Sequence, residues 1–551
     1  MAEALGTALG LVGAVGVLGQ IFSGCIKAYA LFTSAANLGR DSERLVCKIR
    51  IEEMRLVVWG REWGVAEGRL EAHLQAESEA GNERLRPLAV QILTELYRSI
   101  TDFNKLQDKY GLKAEFMSPM GEKGVAQKKV EASVTSRLRN DLSLRAKWVI
   151  ADKDKFGGFL RDLKDYNDGL EQLFPHTRLA TLQRTWQNEL LQVAQRDLEK
   201  LSLLETASSG VYPRLNASAS LKQLRINLDA KSAASFKPSY ALKIQRNLLS
   251  VTGKETRRSL GSYQNPSTPA AEHVVIEWID YDKEDVDARV SCIHRIDDLA
   301  RMVHTASNRH PDLHTIDCLG YTDDAASCRY GLVYQAPDTS FSTLKSLIQS
   351  KEFRSPDLGD RFKLAHTLAV ALWSFQSLDW LHKSLCSSNI LFFPSAFSTS
   401  ATRPTASAAT VPDISSPVFL GFDSSRPDQQ TEMSVASRNP SSMDLHRHPD
   451  SLDGMSRKPY CKSYDIYSLG LMLWEIGAWK AMQDYHKPHY SAGKFRDKVV
   501  LSVLVPGLSS KTGTLYREVV ERCLAAKEDM SGSESGKLLE YVVSTLESLR
   551  V

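Results

Sequence analysis

The chain has 551 residues, long enough for two or three domains that each bury a core. Lysine and arginine total 69 against 66 acidic residues, so a net charge of +3 excludes a global field for nucleic acid or an acidic substrate. Eight cysteines without a dense framework exclude a secreted disulfide scaffold and fit reduced thiols in the cytoplasm.

From Ala4 to Ile26 there are 23 residues with no charge and no proline. As a helix this stretch would be about 34 Å long, close to the ~30 Å hydrocarbon thickness of a bilayer. Glu3 stands where a signal peptide carries positive charge, so the segment is a poor leader. Leu5, Leu9, Leu11, Val12, Val15, Val17, Leu18, Ile21 and Phe22 form a candidate membrane-engaging helix. Gly10, Gly13, Gly16 and Gly19 recur every third residue, with Gly6 four before, and give a flat ridge for close helix approach. In water each glycine costs about 1 kcal/mol of helix stability relative to alanine, which a tight bundle core or a bilayer offsets. The expectation is a helix buried at rest and released into membrane by a trigger; a plain core helix and a permanent anchor are the alternatives.

Further helices are expected from Asp41 to Trp63, with Cys47, Ile51, Met54 and Val58 on one face, and from Arg86 to Tyr110, with Pro87 in the first turn. A third starts near Ser143 and carries the stripe Phe156, Leu160, Leu163, Tyr166, Leu170 and Leu173, and a fourth spans Leu179 to Leu204. Together with the apolar segment these make a five-helix antiparallel bundle over residues 1–205. Lys128, Lys129, Arg137, Arg139, Arg145 and Lys147 form a basic stretch, read as a solvated face with anionic lipid as the alternative partner.

From Thr206 to Ala271 periodicity fades and Pro213, Pro238, Pro266 and Pro269 intervene, so a linker is expected over 206–262, merging into one or two poorly marked strands. Residues 263–551 read as α+β. Strands are expected at His273–Ile279, Leu313–Tyr321 and Arg329–Gln335, and helices at Ile293–His304, Arg361–Ser377 and Tyr464–Ile476. Ser395–Pro417 and Arg426–Pro459 read as mobile polar insertions. Cys292, His294, His304, His310, His314, Cys318 and Cys328 lack the spacing of a zinc site, and no metal is expected.

Trp380-Leu381-His382-Lys383-Ser384-Leu385-Cys386-Ser387-Ser388-Asn389-Ile390-Leu391 resembles the catalytic loop of protein kinases, H-R-D-L-x-x-x-N, with His382 and Asn389 in register. Asp465 to Glu475 resembles the long buried helix of the kinase C-lobe. The resemblance covers Glu272 to the C-terminus and implies a two-lobed α+β kinase-like fold. It keeps His382 and Asn389 but departs from the family at four catalytic features. Ser384 stands for the base, Gly421 for the metal-binding aspartate of D-F-G, Glu277 for the phosphate-binding lysine, and no G-x-G-x-x-G precedes. A two-residue shift would bring Asp423 to the metal position, against which Arg426 and the strand Val418–Leu420 argue. The implication is a pseudokinase with no catalytic residue, no cofactor and at most weak ATP binding.

Gly39-Arg40-Asp41-Ser42-Glu43-Arg44, Ile51 to Trp59, and Trp148 to Phe156 after an opening apolar segment look like the HeLo domain of fungal prion-inhibition and propagation proteins, over roughly residues 3 to 205. That resemblance implies a helical bundle whose first helix targets membrane and causes cell death in heterokaryon incompatibility. The pairing with a kinase-like domain is similar to the mixed lineage kinase domain-like protein of animal necroptosis. The expected function is a cytoplasmic cell-death effector, restrained by a pseudokinase and triggered by an upstream protein. It would oligomerise on membrane lipid and leave nucleic acid alone. An active atypical kinase and a non-enzymatic signalling adaptor remain as alternatives.

Overall fold

The computed structural model describes residues 17–35, 40–65, 67–70, 72–74, 84–115, 147–232, 240–252, 257–307, 309–394, 412–422, 426–427, 445–452 and 460–549. They fall into two units that divide between Asn216 and Ala217.

The first unit is helical. Its helices among the described residues include α1 (Val17–Ala35), α2 (Arg40–Glu62), α3 (Leu85–Thr101), α4 (Lys153–Glu171), α5 (His176–Ala194) and α6 (Leu198–Ser208). Asp152 and Asp197 start α4 and α6, each carboxylate accepting two backbone N–H groups of the first turn that have no partner within the helix. Leu18, Tyr29, Leu56, Trp59, Leu93, Phe156, Phe159 and Leu191 form the buried core.

Local chemistry shifts several expected boundaries. The apolar helix does not end at Ile26 but runs on to Ala35, because Lys27 sits on its exposed side. The helix begun at Leu85 stops at Thr101, and a π turn at Lys105–Lys109 leads into β1 (Leu112–Glu115). Residues 147–150 are not helical; they form β2 (Lys147–Ile150), paired antiparallel with β1, as Trp148, Val149 and Ile150 favour. The expected fourth helix is two helices, broken at Gln195, whose φ is +50°. Of the candidate membrane helix, Leu5, Leu9, Leu11, Val12 and Val15 lie outside the described residues, as do Gly6, Gly10, Gly13, Gly16 and the basic residues from Lys128 to Arg145.

The stretch 206–262, expected as a linker, holds regular structure. Helix α7 (Pro213–Ser232) starts on a proline, and the strands β3 (Leu249–Thr252) and β4 (Arg258–Tyr263) follow. β3 pairs with β4 and β4 with β5 (Glu272–Asp280), and α8 (Val286–Ala306), β6 (Cys318–Asp324) and β7 (Arg329–Gln335) complete the layer. The sheet is antiparallel, in the order β3-β4-β5-β7-β6, so α8 connects its third and fourth strands in sequence. Residues Val274 to Ile279 of β5 are buried on both faces. Val275 and Ile279 share one core with Ile296 and Val303 of α8; Val274, Ile276 and Trp278 share another with Ile244, Leu249 and Val333.

Along the outer edge of β6, Ile244 N–H donates to Tyr321 O (2.7 Å) and Tyr321 N–H to Leu242 O (2.9 Å). A side chain at Gly320 would overlap the Leu242 carbonyl, so only glycine lets the two backbones meet.

The rest of the second unit is mostly helical: β8 (Ser342–Thr343), α9 (Leu344–Gln349), α10 (Leu358–Ser377), β9 (Trp380–Leu381), β10 (Ile390–Phe392), β11 (Val418–Phe419), β12 (Arg426–Pro427), α11 (Lys462–Ala478), α12 (Thr514–Leu524) and α13 (Gly532–Ser548). Helix α11 is buried all round from Ser463 to Ala478, as a helix apolar on every face must be. The expected strand at Leu313 starts only at Cys318, because Pro311–Leu313 forms a 3₁₀ turn. Within the polar stretch 426–459, residues 445–452 are ordered by burial: His446 Nε2 lies 3.0 Å from Glu475 Oε2, and His446, His448 and Ser451 are all buried.

Candidate functional site

The loop after β9 is pinned from below. The Asp465 carboxylate at the start of α11 accepts the backbone N–H of His382 (2.8 Å), that of Lys383 (2.9 Å) and the Tyr460 hydroxyl (2.8 Å). Lys383 takes a left-handed conformation (φ +63°) that turns the chain over this carboxylate. Asn389 then donates from Nδ2 to Ser384 O (2.6 Å), closing the loop on itself. Position 384 offers a hydroxyl and no carboxylate, so it supplies no base near neutral pH.

His382 is buried, with its ring centroid 5.0 Å from Phe422 and 6.1 Å from each of Phe375 and Phe419. Burial holds its pKa down at about 4. In the unfolded chain a histidine takes its proton near 6.5. The unfolded state therefore binds more protons between those values, and stability falls as pH drops from 6.5 towards 4, by ~3 kcal/mol at most. Urea unfolding at pH 7, 6, 5 and 4.5 should show a steeper loss for the wild type than for His382→Gln. Parallel curves would mean that the ring titrates freely.

Above the loop, Glu277 of β5 is fully buried, and Arg258 of β4 is its register partner. Arg258 donates to Glu277 Oε1 from Nη2 (2.7 Å) and Nε (3.1 Å), to Ser388 O from Nη1 (2.8 Å), and to Asn389 Oδ1 from Nη2 (2.5 Å). The other Glu277 oxygen accepts the Gly421 N–H at 3.1 Å. Burial pushes the Glu277 carboxyl up, but the Arg258 and Arg257 guanidiniums outweigh it and hold it below the usual carboxylate range. Of the sequence candidates, the structure thus joins Glu277 and Gly421 directly, Asn389 through Arg258, and Ser384 through Asn389; Asp423 lies outside the described residues. Arg258, the hub of the cluster, fell in the supposed linker. The readable signal was the pair Arg257-Arg258 set before a strand with one acidic residue in an apolar run.

In the first unit the described part of the candidate membrane helix packs into the bundle. Leu18, Gly19, Ile21 and Phe22 are buried, whereas Val17 is 50% exposed. Close approach uses a glycine on the neighbouring helix: the Phe22 ring lies where a side chain at Gly60 of α2 would be. Tyr97 of α3 sits in the same way over Gly24. Gly60→Val should cost about 1–3 kcal/mol by overpacking and should speed hydrogen exchange in α1 more than in α4. Uniform exchange in both helices would argue against this contact as the fastening of α1. No helix among the described residues is long and apolar enough to cross a membrane.

The histidines and cysteines weighed for zinc go to separate partners. His304 Nδ1 is 2.8 Å from Cys318 O, and His310 Nε2 is 2.7 Å from Ser218 Oγ. His448, Asp450 and Glu528 do gather, with ligand atoms within 4.8 Å of one another. His448 Nδ1 accepts the Asp450 N–H (3.3 Å), which leaves the proton of a neutral ring on Nε2, and Glu528 accepts the Tyr464 hydroxyl (2.7 Å).

Residues 6–204 match the family model described as HeLo, prion-inhibition and propagation. Residues 276–543 match a domain of unknown function, DUF7580. The chain is also similar to the heterokaryon incompatibility protein S of Podospora anserina, 23% identical over 221 residues, which cover 38% of this chain and 73% of that protein.

Proposed function

We propose that this chain is a cell-death effector of the heterokaryon-incompatibility type, whose HeLo bundle acts on membrane and whose second unit is a kinase-like regulator without catalytic activity. The observation that carries the first half is the HeLo match over residues 6–204, supported by the similarity to heterokaryon incompatibility protein S. The kinase-like half is supported by the five-stranded order β3-β4-β5-β7-β6 with α8 between its third and fourth strands, and by the His382–Asn389 loop fastened to Asp465. Loss of catalysis follows from Ser384 and Gly421, neither of which bears the carboxylate that phosphoryl transfer uses for base and metal. At rest the protein is cytoplasmic with α1 packed through Phe22 and Gly60; an upstream protein releases the bundle, which then assembles with other copies on lipid.

Leakage from anionic liposomes tests this directly, with the full chain, residues 1–205, and the same fragment lacking Met1 to Ser23. Leakage by the fragment, weaker from the full chain and absent after truncation, is the expected result. Silence from every form would favour a signalling adaptor. Protein-substrate phosphorylation by the wild type, with Ser384→Asp as comparator, would favour an atypical kinase instead.

A further inference from the structure

In the kinase pattern the loop asparagine and the aspartate of D-F-G hold Mg²⁺ against the nucleotide phosphates. The residues here do not fit that ion. Asn389 Oδ1, the ligand atom of the loop, already accepts from Arg258 Nη2 at 2.5 Å. Position 421 has no carboxylate, and a side chain there would overlap the Asn389 amide. Glu277, buried where a lysine would meet phosphates, draws the guanidinium inward and accepts the Gly421 N–H with its second oxygen.

We infer that Arg258 is a resident cation that takes the place of the metal and bolts the sheet to the His382–Asn389 loop, closing the cleft to Mg²⁺-nucleotide. This rests on the kinase-like reading of the second unit. Three acceptors on two segments converge on one planar group: Glu277 of β5, and the Ser388 carbonyl and Asn389 side chain of the loop. A guanidinium presents five N–H donors in a fixed fork and stays charged at every physiological pH, whereas an ammonium is a point charge that cannot span such a set. A divalent metal would exchange with solvent and depend on nucleotide; the arginine is part of β4 and does neither. The lobe thereby keeps one closed arrangement without a ligand.

The test uses the full chain. Arg258→Met combined with Glu277→Gln removes both charges together, and the amide oxygen introduced by the second change still accepts the Gly421 N–H, so no buried charge is stranded. Hydrogen exchange at Ser384–Asn389 should accelerate at least tenfold, while the α11 interior stays protected and reports an intact fold. Arg258→Lys should also accelerate the loop, because charge alone does not reach three acceptors; it serves as the readout should the double variant fail to fold. Unchanged loop exchange in these variants would overturn the bolt. Millimolar ATP with Mg²⁺ or Mn²⁺ should leave the wild-type melting temperature unmoved, and a clear rise would overturn exclusion of the metal. Phosphorylation of a protein substrate by the wild type would instead overturn the inactive kinase-like reading. An inactive wild type with unchanged loop exchange in the variants would sink the bolt alone.

Discussion

Gly421→Asp is expected to destabilise the second unit severely without giving it a metal ligand. Gly421 sits at φ +91°, a conformation that costs a residue with a side chain about 1–3 kcal/mol. Its new Cβ would overlap the Asn389 amide, which is held by Arg258 and by Ser384 O and cannot swing away. Its carboxylate would also arrive beside Glu277, an ionised group already buried there. The three effects together exceed ~3 kcal/mol, and calorimetry should show a fall of about 5–10 °C. Gly421→Ala carries the backbone and overlap costs without the charge, so the difference between the two variants isolates the repulsion. A soluble Gly421→Asp protein that melts like the wild type and titrates Mg²⁺ would show that the cleft relaxes far more than its packing allows.

Arg55→Met should cost the first unit about 3–5 kcal/mol, the loss expected when one partner leaves a buried ionic cluster. Arg55 is 2% exposed on α2. It donates from Nε to Glu171 (2.8 Å), from Nη1 to Glu52 (3.0 Å) and to the Tyr212 hydroxyl (2.9 Å), and from Nη2 to Asp168 (2.6 Å). Tyr212 in turn donates to the other Glu52 oxygen at 2.5 Å, so the turn after α6 hangs on the same carboxylates as α2 and α4. Without the guanidinium, Glu52 and Glu171 remain buried without their counter-charge, with only neutral hydrogen-bond donors beside them. Burial already pushes the Glu52 carboxyl above its ordinary value with Arg55 in place, and the variant adds to that push. An unfolded glutamate loses its proton near pH 4, whereas Glu52 in the folded variant keeps its proton to higher pH. The folded variant thus binds more protons, and its deficit shrinks as pH falls from 8 towards 5. Circular-dichroism melts of both proteins across that range check the sign; a deficit that grows on acidification would rule out stranded carboxylates. Arg55→Lys should recover only part of the loss, since one ammonium cannot serve four acceptors.

What could be read from the sequence divides along physical lines. Periodic helices such as α2, α4 and α11 announce themselves because one face, or every face, must be apolar. The His382–Asn389 spacing fixed the loop register because that loop is local. Strand β4, Arg-Ser-Leu-Gly-Ser-Tyr, carried no such signal: strand propensity reflects packing against neighbours, and its neighbours lie far along the chain. With β4 expected only as a poorly marked strand and its residues unplaced, Glu277 looked like a bare negative charge instead of half of a buried pair. Arg55 was more accessible, since Ile51, Arg55 and Trp59 are spaced four apart and a charge on a core stripe demands partners. Gly60 was not, because only tertiary structure shows which residue of α1 it faces.

The contact of Leu242–Ile244 along β6 bears on how the second unit keeps its own company. An open sheet edge is a template: its unused N–H and C=O groups recruit any extended segment nearby and start aggregation. Here the chain places its own upstream residues against Tyr321, and Gly320 removes the side chain that would hold them off. The segment works as a built-in guard against strand addition from a second molecule. A fragment of this unit begun downstream of Ile244 would retain β4, β5, β6 and β7 and still lose that guard.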